Sequence, residues 1–188
     1  MYDQEETQLL DLLAERVGIA AEYYDIQGSR HIASAETKRG ILAAMGFSTD
    51  SREALARELT LLDEAPWKSP CDPVMVIQQG EAEAHWRFRL SCEGTDEQKL
   101  RIAWDLHDET GAVIHRGEAG PGLVPQDVKY VAGGRHVQFA IPVPRSLVPG
   151  YYDVAASAKG ARASAEGSLR LIVAPPHCYV PDAFRRGG

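Results

Sequence analysis

The feature that most constrains this chain is a change of hydrophobic period across one proline-rich stretch, EAPWKSPCDP, from Glu64 to Pro73. Before it, apolar residues recur at the 3.6-residue spacing of a helix. After it they alternate with polar residues, the period of a half-buried strand. Pro66, Pro70 and Pro73 each fix φ and remove a backbone donor, so neither a helix nor a central strand is expected to run through the stretch. The chain therefore reads as α+β and multidomain, with a helical unit over residues 1–66 and an antiparallel β-sandwich over residues 74–175.

In the first part, Leu9, Leu10, Leu12, Leu13 and Val17 form an apolar stripe from Thr7 to Val17, and Gly18 stands where a left-handed cap ends a helix. Tyr23, Tyr24 and Ile26 then approach Gln27-Gly28, with Ile32 beyond, which predicts a small hairpin. Ser34 is placed to cap a second helix that turns Ile41, Leu42 and Met45 inward and stops at Gly46. Asp50 and Glu53 have the spacing of a capping box for a third helix, lined by Leu55, Leu59 and Leu62 and halted before Pro66. A small three-helix unit is the expected result.

In the second part, Trp86, Phe88, Leu90 and Cys92 alternate with His85, Arg87, Arg89 and Ser91, and Leu100, Ile102, Trp104 and Leu106 alternate with polar partners. The turn Asp108-Glu109-Thr110-Gly111 leads into Ala112 to Arg116. Later strands are marked by Val137, Phe139 and Ile141, by Tyr152, Val154 and Ala156, and by Leu169, Leu171 and Val173. Strands about ten residues apart, with Gly and Pro turns and no helix pattern between them, predict an antiparallel sandwich. In LVPGYYDV, a Pro-Gly turn precedes Tyr151-Tyr152, the setting in which immunoglobulin-like sandwiches start a strand with a hydrogen-bonding tyrosine, so an Ig-like sandwich is predicted.

Several function classes are disfavoured. A formal net charge of -7 with both signs spread along the chain leaves no basic patch for nucleic acid or an anionic membrane. No apolar run approaches the roughly 20 residues of a spanning helix, and MYDQEETQ lacks the regions of a signal peptide, which makes the cytoplasm the expected compartment. Cys71, Cys92 and Cys178 are too irregularly spaced for a disulfide framework or a metal site and read as ordinary thiols. His31, His85, His107, His115, His136 and His177 lack metal-site spacing and mostly flank strands. Asp105, His107, Asp108 and Glu109 read as a solvated hairpin tip, and the glycines of RGEAGPG and AGG as turns. No catalytic, metal or cofactor motif is present. Among the aromatics, Trp86 and Trp104 share strand faces with core residues. Trp67, Tyr23, Tyr24 and Tyr151 lie in the linker, hairpin and corner, where a ring is free to stack on a sugar.

The segment LLAERVGIAAEYYDIQGSRHIASAETKRGILAAMGF resembles the N-terminal segment of bacterial 4-α-glucanotransferases, the amylomaltases or disproportionating enzymes. The likeness is carried by Gly18-Ile19, by Tyr-Tyr-Asp before a glycine, and by Ser-x-Glu-Thr-x-x-x-x-Leu from Ser34 to Leu42. The tail LIVAPPHCYVP resembles the same family's junction between a sandwich and a catalytic barrel. The resemblance implies a parent enzyme that transfers α-1,4-glucan segments between maltodextrins by a retaining mechanism. That chemistry needs two carboxyl groups about 5 Å apart, on a (β/α)₈ barrel of roughly 250 residues. No catalytic residue carries over, and the chain is expected to be inactive alone. Residues 176–188 are then a linker toward the absent barrel, with Tyr179 and Phe184 laid against it, and Arg185-Arg186-Gly187-Gly188 reads as an abrupt end. Three roles stay open: scaffold or glucan presenter within the parent, stand-alone binding module on maltodextrin or glycogen, and a protein interaction or dimerisation domain.

Overall fold

A computed structural model describes residues 3–94, 96–181 and 184. The Arg185 to Gly188 ending lies outside the described residues, as does part of the predicted linker. The chain divides into two units, Met1–Ala65 and Pro66–Gly188.

The first unit holds α1 (Gln4–Arg16), β1 (Glu22–Tyr24), β2 (Arg30–Ile32), α2 (Ala35–Ala44) and α3 (Arg52–Glu64). Its core is Leu10, Leu13, Ala14, Leu42 and Leu55, with Leu9, Val17, Phe47, Leu59 and Leu62 packed around it. Ser34 Oγ accepts the Thr37 N–H at 3.1 Å and so satisfies one of the first free donors of α2. The α3 cap is Ser51, which accepts the Ala54 N–H at 3.1 Å, and not Asp50 one residue earlier. Ile41 and Met45, expected to face inward, are exposed, as is Leu12. The inward stripe of α2 runs Ala35, Lys38, Leu42, and positions 41 and 45 lie to its side. Lys38 buries its alkyl stem there while its Nζ reaches Asp11 at 2.8 Å.

A 3₁₀ turn, Ala65–Lys68, begins at the last residue of the first unit and runs into the second, so Pro66 sits inside a helical turn where a simple break was expected. The strands of the second unit are β3 (Val74–Gln78), β4 (His85–Ser91), β5 (Arg101–His107), β6 (Val113–Ala119), β7 (Asp127–Val131), β8 (Gly134–Pro142), β9 (Gly150–Lys159) and β10 (Ser164–Ala174). They form a five-stranded sheet in the order β3-β10-β9-β5-β6 and a three-stranded sheet in the order β4-β8-β7. One correction to the antiparallel expectation is needed: β3 pairs parallel with β10, Val74 opposite Arg170 through Gln78 opposite Ala174. The strands β3 and β7 add to those the sequence predicts.

The inward residues of β4, β5, β8, β9 and β10 interdigitate between the sheets, as their alternation requires. Trp86 and Trp104 meet edge-on, with ring centroids 5.9 Å apart and planes at 78°. Trp104 lies across Gly117, its cross-strand partner on β6, where a Cβ would come within 2.2 Å of the indole. Tyr152, at the start of β9, is buried and donates its hydroxyl to the Val148 carbonyl at 2.8 Å, the corner hydrogen bond predicted for this strand. Asp108 accepts from Thr110 Oγ1 and from the Thr110 and Ala112 N–H groups, closing the β5–β6 turn as a hairpin tip. These contacts hold its carboxyl below the usual range, the Thr110 hydroxyl most strongly.

Arg89 departs from its strand's alternation. Expected on a polar outer face, it is buried, because residues 66–72 strap across β4: the Pro70 carbonyl takes the Arg89 N–H at 2.7 Å, and Cys71 bridges Phe88. The guanidinium bonds Asp72 at 2.8 Å, Gln138 at 2.8 Å and the Pro66 carbonyl at 3.2 Å, which satisfies a cation that burial would otherwise make costly. Within the strap, burial and then the neighbouring Asp72 carboxylate push the Cys71 thiol up to about 11.

Candidate functional site

The aromatics singled out in the sequence are divided between the two units. Tyr23 and Tyr24 lie on the β1–β2 ribbon, where every side chain is exposed. Tyr23 stacks on His31 opposite it, centroids 5.0 Å apart, and His31 Nε2 lies 2.8 Å from Asp25. Asp25 also accepts the Gln27 and Ser29 N–H groups, which shapes the ribbon's tip. Its carboxyl is held below the usual range, chiefly by His31. Trp67 is half-buried in the 3₁₀ turn that runs into the second unit, and Tyr151 is exposed on β9. Tyr179 and Phe184 are 84% and 78% exposed beyond β10, so among the described residues nothing covers either ring. Two of the four proposed sugar contacts thus belong to the first unit and two to the second, and Tyr151 has the most elaborate surroundings.

Those surroundings follow from strand register. Successive residues of a strand point to opposite faces, and the inward set of β9 is Tyr152, Val154, Ala156 and Ala158. Its outward set is therefore Tyr151, Asp153, Ala155, Ser157 and Lys159. Across the sheet, Tyr151 pairs with Ile172, Asp153 lies between His107 and Arg170, Ala155 between Asp105 and Ser168, and Ser157 between Ala103 and Glu166.

Small side chains leave this outward face hollow. One trough of about 630 Å³ is floored by Ala103, Ala155 and Ser157 and edged by Asp105, Glu166 and Ser168. A second of about 360 Å³ lies further along β9, between Glu109, Tyr151, Asp153 and Arg170. Arg170 holds Asp153 through two bonds, at 2.6 and 3.2 Å, and Glu109 accepts the Tyr151 N–H at 3.2 Å. Asp105 has Arg116 at 3.4 Å. Ser157, Glu166 and Ser168 place their polar atoms at the trough without a side-chain hydrogen bond within the described chain. Sequence alternation could have placed these residues outward, but only the register of three strands brings them together.

Asp96 is a further residue that sequence reasoning missed. It is buried beneath the β9–β10 turn and accepts the N–H groups of Ala161, Arg162 and Ala163 at 3.0, 2.9 and 2.8 Å. The bond from Arg162 contributes most to holding its carboxyl below the usual range. No sequence signal marked it, because its partners lie far along the chain. Among the described residues, no group of three or more His, Cys, Asp or Glu side chains is placed to hold a metal ion, and no helix is long and apolar enough to cross a membrane.

A family model described as the MalQ N-terminal beta sandwich domain matches residues 70–175. Among solved structures, amylomaltase from Corynebacterium glutamicum overlays 95% of this chain with a TM-score of 0.69 at 21% identity, a likeness of fold across both units. The chain spans 24% of that amylomaltase's length. A family 123 glycoside hydrolase from Clostridium perfringens overlays 58% of this chain and 24% of its own, at 12% identity and a TM-score of 0.35. An I-band fragment of titin covers 57% of this chain and 32% of its own, at 18% identity and 0.25. Both scores are too low to bear on the fold.

Proposed function

Since the chain belongs to the MalQ N-terminal beta sandwich domain family, we propose that it works as the non-catalytic N-terminal region of a cytoplasmic 4-α-glucanotransferase acting in maltodextrin and glycogen metabolism. The observation that carries this reading is the match of a single family model along almost the whole sandwich, residues 70–175. The amylomaltase overlay, which takes in the helical unit as well, supports it. On this reading the working divisions are 1–66, 74–175 and a linker at 176–188. The corner bond of Tyr152 supports treating the sandwich as Ig-like.

The proposed partner is a catalytic barrel in the same protein. Tyr179 and Phe184 are the groups proposed to meet it, since large exposed rings gain most from being covered. The region's role is then to support the barrel or present glucan to it, with Trp67, Tyr23, Tyr24 and Tyr151 as the aromatics available for glucan contact. The bond-breaking chemistry belongs to the barrel's carboxylate pair, and no residue of this chain is assigned a catalytic part.

Two observations test the reading. Sequencing the coding DNA past the codon for Gly188 is expected to enter barrel-coding sequence in frame. A stop codon there overturns the parentage. Incubated with maltotriose, the purified chain is expected to yield neither glucose nor longer maltodextrins, and their appearance would overturn the non-catalytic assignment.

A further inference from the structure

We infer that the outward face of the five-stranded sheet, along β9 from Tyr151 to Ser157, is a binding groove for a linear α-glucan. The inference rests on the proposed place of the chain in a glucanotransferase for the α-linkage, and on the groove's own chemistry for the rest.

Four features fit a neutral polyhydroxyl chain. The two hollows share β9 as their spine, and from Tyr151 to Ser157 it runs about 20 Å at about 3.3 Å per residue, enough for several sugar rings in a row. Tyr151 presents an exposed ring at one end, beside Ile172, as a surface for the apolar face of one sugar. Beyond it, Asp153 and Arg170 offer a planar pair fixed by two bonds, a rigid acceptor and donor together. In the trough, Glu166, Ser157 and Ser168 have no partner within the described chain and can bond sugar hydroxyls without breaking an existing contact.

The balance of charge selects against other ligands. Of the four carboxylates that line the two hollows, Asp153 is paired with Arg170 and Asp105 with Arg116, which leaves Glu109 and Glu166 as the net charge facing a ligand and disfavours phosphates and nucleotides. The floor of Ala103 and Ala155 leaves the groove shallow and open, which suits an extended polymer better than an enclosed small molecule. A site of this kind holds each unit weakly, with a dissociation constant of roughly millimolar. Affinity is expected to rise with chain length, as successive units occupy the trough.

The test is a titration of the full chain with maltoheptaose, followed by backbone amide shifts. Saturable shifts confined to residues near 103–105, 151–157 and 166–170 are expected, with weaker effects for maltotriose. Tyr151→Ala should weaken binding about tenfold, the loss of one stacking contact. Glu166→Gln, which keeps the shape of the trough, should weaken it several-fold while melting at the same temperature as the parent chain. Tyr130→Ala, an exposed ring on β7 of the three-stranded sheet, should leave it unchanged. Shifts centred on the β1–β2 ribbon or on Trp67, or a flat titration to tens of millimolar, overturn the groove. Equal shifts with cellohexaose overturn the α-glucan assignment. An inert chain with an in-frame barrel downstream and a flat titration sinks the groove alone and leaves the parentage standing.

Discussion

Replacing Gly117 with alanine adds one methyl group where the structure has least room for it. The added Cβ would lie 2.2 Å from Cε2 and Cζ2 of Trp104, against an optimal carbon separation of about 3.5–4.0 Å. The ring must give way by more than 1 Å on the order of that deficit. It cannot swing freely, because its other side meets Trp86 edge-on at 5.9 Å. Overpacking of this kind costs about 1–3 kcal/mol, and loosening the edge-on pair costs about 1 kcal/mol more. Lowered entropy of the unfolded chain returns about 0.4–1 kcal/mol, since Gly117 has no left-handed backbone that alanine would strain. The net expectation is a loss of about 2 kcal/mol. With a urea dependence of about 2 kcal/mol per molar, that lowers the unfolding midpoint by about 1 M. Tryptophan fluorescence reads it cleanly, since Trp67, Trp86 and Trp104 all lie in the second unit. In a Trp104→Leu background the clashing atoms are gone, and Gly117→Ala should become neutral or slightly stabilising. An equal loss in both backgrounds, or none in the parent, would refute the steric account.

Two further outcomes follow from groups whose titration the fold has shifted. The carboxyls of Asp96, Asp25 and Asp108 are held low, respectively by the Arg162 N–H, by His31 and by the Thr110 hydroxyl. A depressed folded value means the stabilisation is complete above the unfolded value of about 4 and fades as pH falls through the folded one. Melting temperature should therefore be insensitive to these groups near neutrality and fall on acidification below about pH 4, and Asp96→Asn should lower the neutral plateau while flattening that acid limb; an unchanged acid limb contradicts the role given to Asp96. Cys71, pushed up to about 11 and buried, should resist a thiol reagent at pH 8 in the folded chain while exposed Cys178 reacts at once, and mass spectrometry showing prompt modification of Cys71 would count against the strap's being held down on β4.

The strands that were legible in the sequence are those buried on one face only. Ile102, Trp104 and Leu106 alternate with outward residues because one side of β5 meets the core and the other meets water, and Tyr152, Val154 and Ala156 on β9 behave likewise. By contrast β3 reads Val-Met-Val-Ile, four apolar residues in a row with no alternation to mark it, and its partner β10 is distant in sequence. The short strand β7 was hidden for a related reason: Val128 and Tyr130 share the face of buried Val137, yet they sit at a sheet edge and stay exposed. Arg89 shows the limit of alternation itself, because a strap from elsewhere in the chain turned an outer face into an interior one. The candidate groove was legible only as scattered outward residues. Which of them become neighbours is decided by pairing between β5, β9 and β10, a long-range choice that no local window contains.

The parallel pairing of β3 with β10 also sets a timetable. Among the described strands of the sandwich, β3 leaves the ribosome first, and it pairs in the sheet with the one that leaves last. A nascent chain that has already emerged through Lys159 can pair β4 with β8, β8 with β7, and β5 with β6 and β9, all antiparallel neighbours. Throughout that interval Val74, Met75, Val76 and Ile77 wait with their backbone donors and acceptors unclaimed, a segment that a chaperone could hold or a second nascent chain could capture. Only when Ala174 clears the exit tunnel can the first strand be locked beside the last, so closure of this sheet is a signal that synthesis has passed the whole sandwich.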